Sequence, residues 1–244
     1  MNACNRRLGF LSGVLAAAIF GGAALAEEPA DDMGGFDHPV SAPANAFELS
    51  LGGGYTQGTG DIRQSGATVE DVSGAGGTVE LKLGYRVTPS FAFGAYGTFA
   101  AYTKADDAPG TDVFGATAGA YADWHFRPDR SIDPWISLAG GFRGLWLSPD
   151  QGKKTSILGW EIARLQVGID YRITPSVALG PVVGASVNVF FTENDPATDG
   201  FENIHHPRAN YFFFSGVQGR FDLGGETRKS PQLVGQAEPV MAAK

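Results

Sequence analysis

One phrase occurs twice in this chain and restricts its fold more than any other feature. Tyr85-Arg86-Val87-Thr88-Pro89-Ser90 returns as Tyr171-Arg172-Ile173-Thr174-Pro175-Ser176. Each copy ends one alternating run and begins the next. The two threonines stand 86 residues apart, and 43 residues beyond Thr88, half that interval, lies Ser131. It closes Arg127-Pro128-Asp129-Arg130-Ser131, a third stretch with turn chemistry. Three tight turns at one spacing leave room between them for two long strands and a loop. That is the layout of an up-and-down antiparallel barrel, with short turns at one end and longer loops at the other.

The chain reads as eight strands, over about 46–57, 76–87, 91–103, 112–126, 133–147, 158–173, 177–192 and 209–223. Most exceed the ~9–11 residues that a tilted strand needs to cross a bilayer. The connections 88–90, 127–132 and 174–176 are short; 58–75, 104–111, 148–157 and 193–208 are longer. In an outer-membrane barrel the turns face the periplasm and the loops face outside, and an even strand number leaves both tails in the periplasm.

Side chains alternate across a strand, so a period of two assigns residues to walls. In the second strand Val79, Leu81, Leu83, Tyr85 and Val87 oppose Glu80, Lys82, Gly84 and Arg86. In the sixth, Leu165, Val167, Ile169, Tyr171 and Ile173 oppose Arg164, Gln166, Gly168, Asp170 and Arg172. In the eighth, Val217, Phe221 and Leu223 oppose Gln218, Arg220 and Asp222. A soluble ligand-binding barrel would turn its apolar wall inward, and a membrane barrel would turn it outward. Strand length favours the membrane. So does the gathering of aromatics near strand ends, as in two interfacial girdles. Tyr85, Phe91, Trp124, Phe126, Trp135 and Tyr171 lie near the turns; Tyr102, Phe114, Trp146, Phe190, Phe191, Tyr211 and Phe212 lie near the loops. The lipid face carries almost no charge, with Glu161 its exception. Trp135, Trp160, Leu145 and Leu147 fall on the lumen side of this register. A bulge near Gly140-Gly141 or Gly144 would account for them.

The ends agree with export. Residues 1–26 read as a signal peptide, with Arg6 and Arg7, an uncharged run from Leu8 to Leu25, and Ala24-Leu25-Ala26 at the cleavage point. Cys4 is the chain's one cysteine, so a mature chain has no disulfide and no cysteine metal site. The whole chain has 18 Lys+Arg against 26 Asp+Glu; losing Arg6 and Arg7 takes the formal charge to −10. That excludes nucleic acid as an expected partner, since it needs a basic footprint. Residues 27–45 read as a disordered periplasmic N-terminal segment, 46–223 as the barrel, and 224–244 as a disordered C-terminal tail.

The signal peptide, the eight strands, the two Thr-Pro-Ser turns and the aromatic-rich last strand from Tyr211 to Leu223 together resemble the small OmpA/OmpX/OmpW-type outer-membrane β-barrel group. The resemblance is architectural and covers residues 46–223. Phe221-x-Leu223 matches the terminal assembly signal of that group; Gly219 stands one position off its usual glycine, and a tail follows the strand. The resemblance implies an all-β, eight-stranded antiparallel transmembrane barrel in a bacterial outer membrane. Members range from inert anchors to narrow channels to lipid-modifying enzymes.

The lumen wall should hold Glu48, Glu80, Asp123, Asp170 and Asp222 against Lys82, Arg86, Arg143, Arg164, Arg172 and Arg220. Charges in a dry lumen must pair, and an eight-stranded barrel is just wide enough for its side chains to fill. The expected result is a plug, with a polar permeation path as the rival. His125 is expected at the polar interface, with Asp123 two positions away if it were a catalytic base. The H-x-S pattern of lipid A deacylases is not met, and no G-x-S-x-G, H-E-x-x-H or phosphate-loop pattern occurs. Glu193, Asp195, Asp199, Glu202, His205 and His206 in the last loop offer donors for a cation, but their spacing matches no known loop, so a solvated acidic loop is expected. The reading is therefore a porin-like but plugged monomer with a structural or surface-exposed role. It has no catalytic, cofactor or metal residues. Its partners are outer-membrane lipid and whatever the surface loops meet outside. A narrow channel for small or apolar solutes, a lipid-acting enzyme and a soluble ligand-binding barrel are the alternatives.

Overall fold

The computed structural model describes residues 37–64, 68–103, 111–149, 154–195 and 200–227. The signal peptide 1–26, the stretch 27–36 and the tail from 228 onward lie outside the described residues, as does most of the 104–111 connection. The strands are β1 (Ala46–Thr59), β2 (Gly76–Thr88), β3 (Phe91–Tyr102), β4 (Thr111–His125), β5 (Ile132–Pro149), β6 (Thr155–Thr174), β7 (Val177–Asp195), β8 (Gly200–Asn203) and β9 (Ala209–Leu223), with one helical turn, α1 (Val69–Val72). Neighbours in sequence pair antiparallel from β1 to β7; β9 lies between β1 and β7, and β6–β7 pairing completes the ring. Eight strands thus close a barrel, and β8 only extends the loop end of β7. The eight wall strands start and stop within three residues of the expected ends. Closure satisfies every wall strand's backbone without a free edge, a condition for crossing lipid.

The walls point as a membrane barrel requires. Leu81, Leu83, Val167 and Ile169 are 37% to 56% exposed on the outside, while Glu80 and Lys82 between them are buried. A soluble ligand-binding barrel has the opposite arrangement, so that alternative is overturned. Outside, aromatics cluster toward the ends: Phe47 on Tyr85 at 5.5 Å, Phe91 on Trp124 at 4.9 Å, and Phe142 on Trp160 at 5.6 Å. Three expected girdle residues are corrected: Tyr102, Phe190 and Phe212 turn inward and are buried, while Trp135, near the turns, takes the lumen position its register gave it. The inner wall makes room for such rings with glycine. A Cβ on Gly168 would come within 2.5 Å of the Trp135 indole.

The bulge lies in β6, not in the fifth strand. Ala139 pairs with Arg164 and Gly141 with Glu161, so between these pairs one residue of β5, Gly140, opposes two of β6, Ile162 and Ala163. The β6–β7 ladder shifts at the same place. One extra residue, at Ile162-Ala163, flips every side chain above it. Below it Arg164, Gln166, Asp170 and Arg172 face in; above it Ile157 and Glu161 do, and Trp160 and Ile162 face out. Glu161 therefore leaves the lipid face and Trp160 joins it. Gly140 stands opposite, where a Cβ would meet the carbonyl oxygens of Ile162 and Glu161 at 3.3 and 3.4 Å. Leu145 keeps its inward register and is buried. Deleting Ile162 is expected to remove the extra residue and restore plain alternation with the same facing, Ala163 outward, Glu161 inward and Trp160 outward. Folded yield in detergent, read as heat-modifiable gel migration, should stay near the parental value. A sharp fall would show that the bulge itself, and not only the facing it sets, is required.

The described part of the stretch expected to be disordered, 37–45, is bonded to the barrel. Val40 and Ala42 donate their N–H groups to the carbonyls of Asp129 (3.3 Å) and Pro128 (2.7 Å), and Ala44 exchanges two bonds with Glu226. These bonds and the burial of Ala42 against the turn offset the entropy that composition alone would leave to a Pro/Ala-rich segment. At the other end, α1 carries a capping box in which Thr68 and Asp71 satisfy each other's backbone N–H. Backbone bonds of Thr68 hold the Asp71 carboxyl below the usual carboxylate range. Val69 and Ile62 then point down into the barrel, both buried.

Candidate functional site

The repeated phrase explains itself inside the lumen. Each arginine sits two residues before its turn, on the inner wall. Arg86 Nη1 donates back to the Pro89 carbonyl at 2.8 Å, and Arg172 Nη1 to the Pro175 carbonyl at 2.8 Å. Both then grip one carboxylate from β9: Arg86 Nε reaches Asp222 Oδ1 at 3.0 Å, and Arg172 Nη1 reaches Asp222 Oδ2 at 2.9 Å. Two distant turns are thus tied through a single acid.

The clasp continues upward. Glu48 accepts from Arg86 at 2.7 Å and from Arg220 at 2.5 Å. Arg220 also donates to Asp123 at 3.2 Å and Asp170 at 2.9 Å. Lys82 reaches both Asp123 oxygens at 3.3 Å and Ser137 at 3.2 Å. Trp135, in the middle, donates its indole N–H to Asp170 at 2.8 Å and lies 5.2 Å from both Lys82 Nζ and the Arg220 guanidinium. Such cation–π contacts gain strength where water is excluded.

A second layer sits above. Arg164 Nη2 meets Glu80 at 2.5 Å, and Gln166 donates to the same acid at 2.9 Å. Glu161, brought inward by the bulge, accepts from the Tyr96 hydroxyl and lies 3.6 Å from both Arg143 and Arg164. Arg143 donates to Asn188 at 3.2 Å and stacks 3.7 Å from the Phe212 ring. The third layer is apolar. Leu145, Val113, Tyr102, Ile157, Phe190 and Phe212 from the walls meet Ile62, Val69 and Ile204 from the loops, all buried. A cavity of about 20 Å³ beside Glu80, Arg164 and Gln166 has room for about one water.

All eleven side chains expected in the lumen are buried there, and ten of them form ion pairs with one another. The eleventh, Arg143, finds Glu161 instead. Among the described residues the interior then holds seven acids against six Lys/Arg, because Asp133 and Glu161 join the five expected acids. His125 is corrected twice. It is buried, not interfacial, and its Nδ1 meets Asp133 at 2.7 Å, not Asp123. The other ring nitrogen lies 3.3 Å from Arg86 Nη2. Asp133 was legible as an inward position of β5, one residue before Pro134; nothing local pointed to its partner. The loop 193–208 forms the β7–β8 hairpin with Glu193 opposite Glu202. Among the described residues no three His, Cys, Asp or Glu side chains converge to hold a metal ion. Asp199 lies outside the described residues.

No protein-family model and no curated protein sequence matches the chain. Among solved structures, Neisserial surface protein A aligns over 72% of this chain and 97% of its own, with 16% identity and a TM-score of 0.50. The fold is that of the small eight-stranded outer-membrane β-barrels. The outer-membrane protein OprG of Pseudomonas aeruginosa aligns over 74% of this chain and 98% of its own at 10% identity, TM-score 0.44. Ail, the attachment invasion locus protein of Yersinia pestis, aligns over 73% and 99% at 13% identity, TM-score 0.39. At 16% identity the likeness to Neisserial surface protein A speaks for the barrel and not for its use, since one fold hosts many functions.

Proposed function

We propose that this chain is a non-enzymatic outer-membrane protein whose barrel is closed by its own side chains, a monomeric structural or surface-exposed component of a bacterial envelope. The observation that carries this reading is the stack of two buried ion-pair clusters in the lumen, one running from Asp222 to Lys82 and one from Glu80 to Arg143. A permeation path needs solvated charges that exchange partners with a passing solute. Here the guanidiniums are held by carboxylates and turn carbonyls at short range, and the loop end is stoppered by apolar side chains. The outer wall of Leu, Val, Ile and Phe suits membrane lipid as its surroundings. A lipid-acting enzyme is disfavoured because His125, the one buried imidazole among the described residues, has an arginine on the nitrogen that would face a substrate. No cofactor is invoked.

The test is conductance. Purified protein reconstituted in planar bilayers is expected to give no steady single-barrel steps. Regular steps whose ion selectivity changes in Arg164→Ala would replace the plug with the channel reading.

A further inference from the structure

The charges nearest the turn end are the most completely hidden ones. Arg86 and Arg172 stand two residues from their strand ends, yet both are 0% exposed, and Ser131, in a turn, is also 0% exposed. Strand ends of a barrel open onto solvent, so something must cover them. The chain N-terminal to β1 does. It begins at the β4–β5 turn, where His38 exchanges bonds with Ser131 (2.9 Å each way) and Asp37 pairs with Arg127 at 2.7 Å. Desolvation raises the Asp37 carboxyl's pKa, but Arg127 outweighs it and leaves the value below the usual one. The His38 ring meets Tyr171 edge-on at 6.5 Å. From there residues 39–43 run to the β1–β9 seam, where Ala44 and Glu226 exchange backbone bonds at 3.0 and 2.8 Å. In the ring, β4 and β5 are separated from β1 by β2 and β3. The segment is therefore a chord across the mouth, not an extension of one strand. Ala42 and Pro43, at its middle, are small, uncharged and buried.

We propose that residues 37–45 are a strap that seals the turn end of the barrel, shutting the Arg86–Asp222–Arg172 clasp and the His125–Asp133 pair away from the solvent on that side. The strap can dock fully only after β9 has paired with β1, because its last anchor, Glu226, follows β9. It is thus a latch on the finished barrel. The backbone supplies most of its hold. Asp37–Arg127 is an exposed pair that adds little, whereas the N–H groups of Val40 and Ala42 have defined carbonyl partners.

The proposal deepens the closed-lumen reading and rests on it, but labelling reports the seal and conductance reports the plug, so each can fail alone. Ala92 and Ala178 lie on the inner wall beside Arg86 and Arg172, at 0% and 1% exposure, and take no part in the ion pairs. With Cys4 replaced by serine, Ala92→Cys and Ala178→Cys give single reporters. Folded protein in detergent is exposed to a water-soluble maleimide. Removing residues 37–43 is expected to speed labelling at both reporters by about tenfold or more, since reaction follows the population of the open state. Heat-modifiable migration should stay unchanged. If the deletion does not fold, Val40→Pro with Ala42→Pro removes the two strap donors while leaving the barrel sequence intact, and should speed labelling in the same direction. Equal rates with and without the strap, in a folded barrel, overturn the proposal.

Discussion

Asp222→Ala should lower the stability of the folded barrel by about 3–5 kcal/mol, because it leaves buried cations without their acid. Arg86 would keep Glu48 as a partner. Arg172 would not: among the described residues its ion pair is with Asp222, and its other bond goes to the Pro175 carbonyl. The loss is measured by urea unfolding of the refolded protein in detergent or liposomes. The control is Arg63→Ala at the loop end. Its pair with Glu193 spans 3.4 Å between side chains 42% and 29% exposed. Solvent screens such a pair, and its removal should cost about 0–1 kcal/mol. If the two variants unfold alike, the lumen is hydrated and its charges are not stranded by losing a partner. That result would also weaken the plug, because solvated charges are what a conducting lumen needs. Asp222→Asn refines the test. It keeps an acceptor of the right shape and removes the charge, so it should fall between alanine and the parent.

The second large effect belongs to the outer wall. Leu165 lies near the middle of β6, half exposed and just below the bulge. Leu165→Arg should destabilise the barrel in a bilayer by about 2–4 kcal/mol, whereas the same change at Leu223, the last residue of β9, should cost about 0–1 kcal/mol, because the penalty falls with distance from the midplane. Folding into phospholipid vesicles, followed by gel shift against urea, gives both numbers. A wall that faces water would tolerate both changes equally. The depth dependence, not the size of either loss, is what ties the apolar wall to lipid.

What could be read from the residues alone was whatever alternates or repeats along the chain. Strand number, strand ends, the sign of each wall and the two arginine turns all follow from a period of two and from turn chemistry, which act between neighbours. The eleven lumen charges were legible for the same reason. Their partners were not. Arg220 meets Glu48 across 172 residues, and Arg86 meets Asp222 across 136. No local rule selects between five acids that share a wall. The β6 bulge was also hidden. Trp160-Glu161-Ile162-Ala163 reads acceptably in either register, and only pairing with β5 and β7 on both sides decides where the extra residue sits. Once it is placed, Glu161 turns inward and supplies Arg143 with the acid it otherwise lacks. His125 and Asp133 belong to two strands joined by a turn, so their meeting depends on how that turn folds. The loop part of the apolar stopper, Ile62, Val69 and Ile204, and the N-terminal strap come from segments whose composition reads as loop and tail. They are ordered by surfaces that exist only once the barrel has closed, and that contribution is absent from any window of sequence.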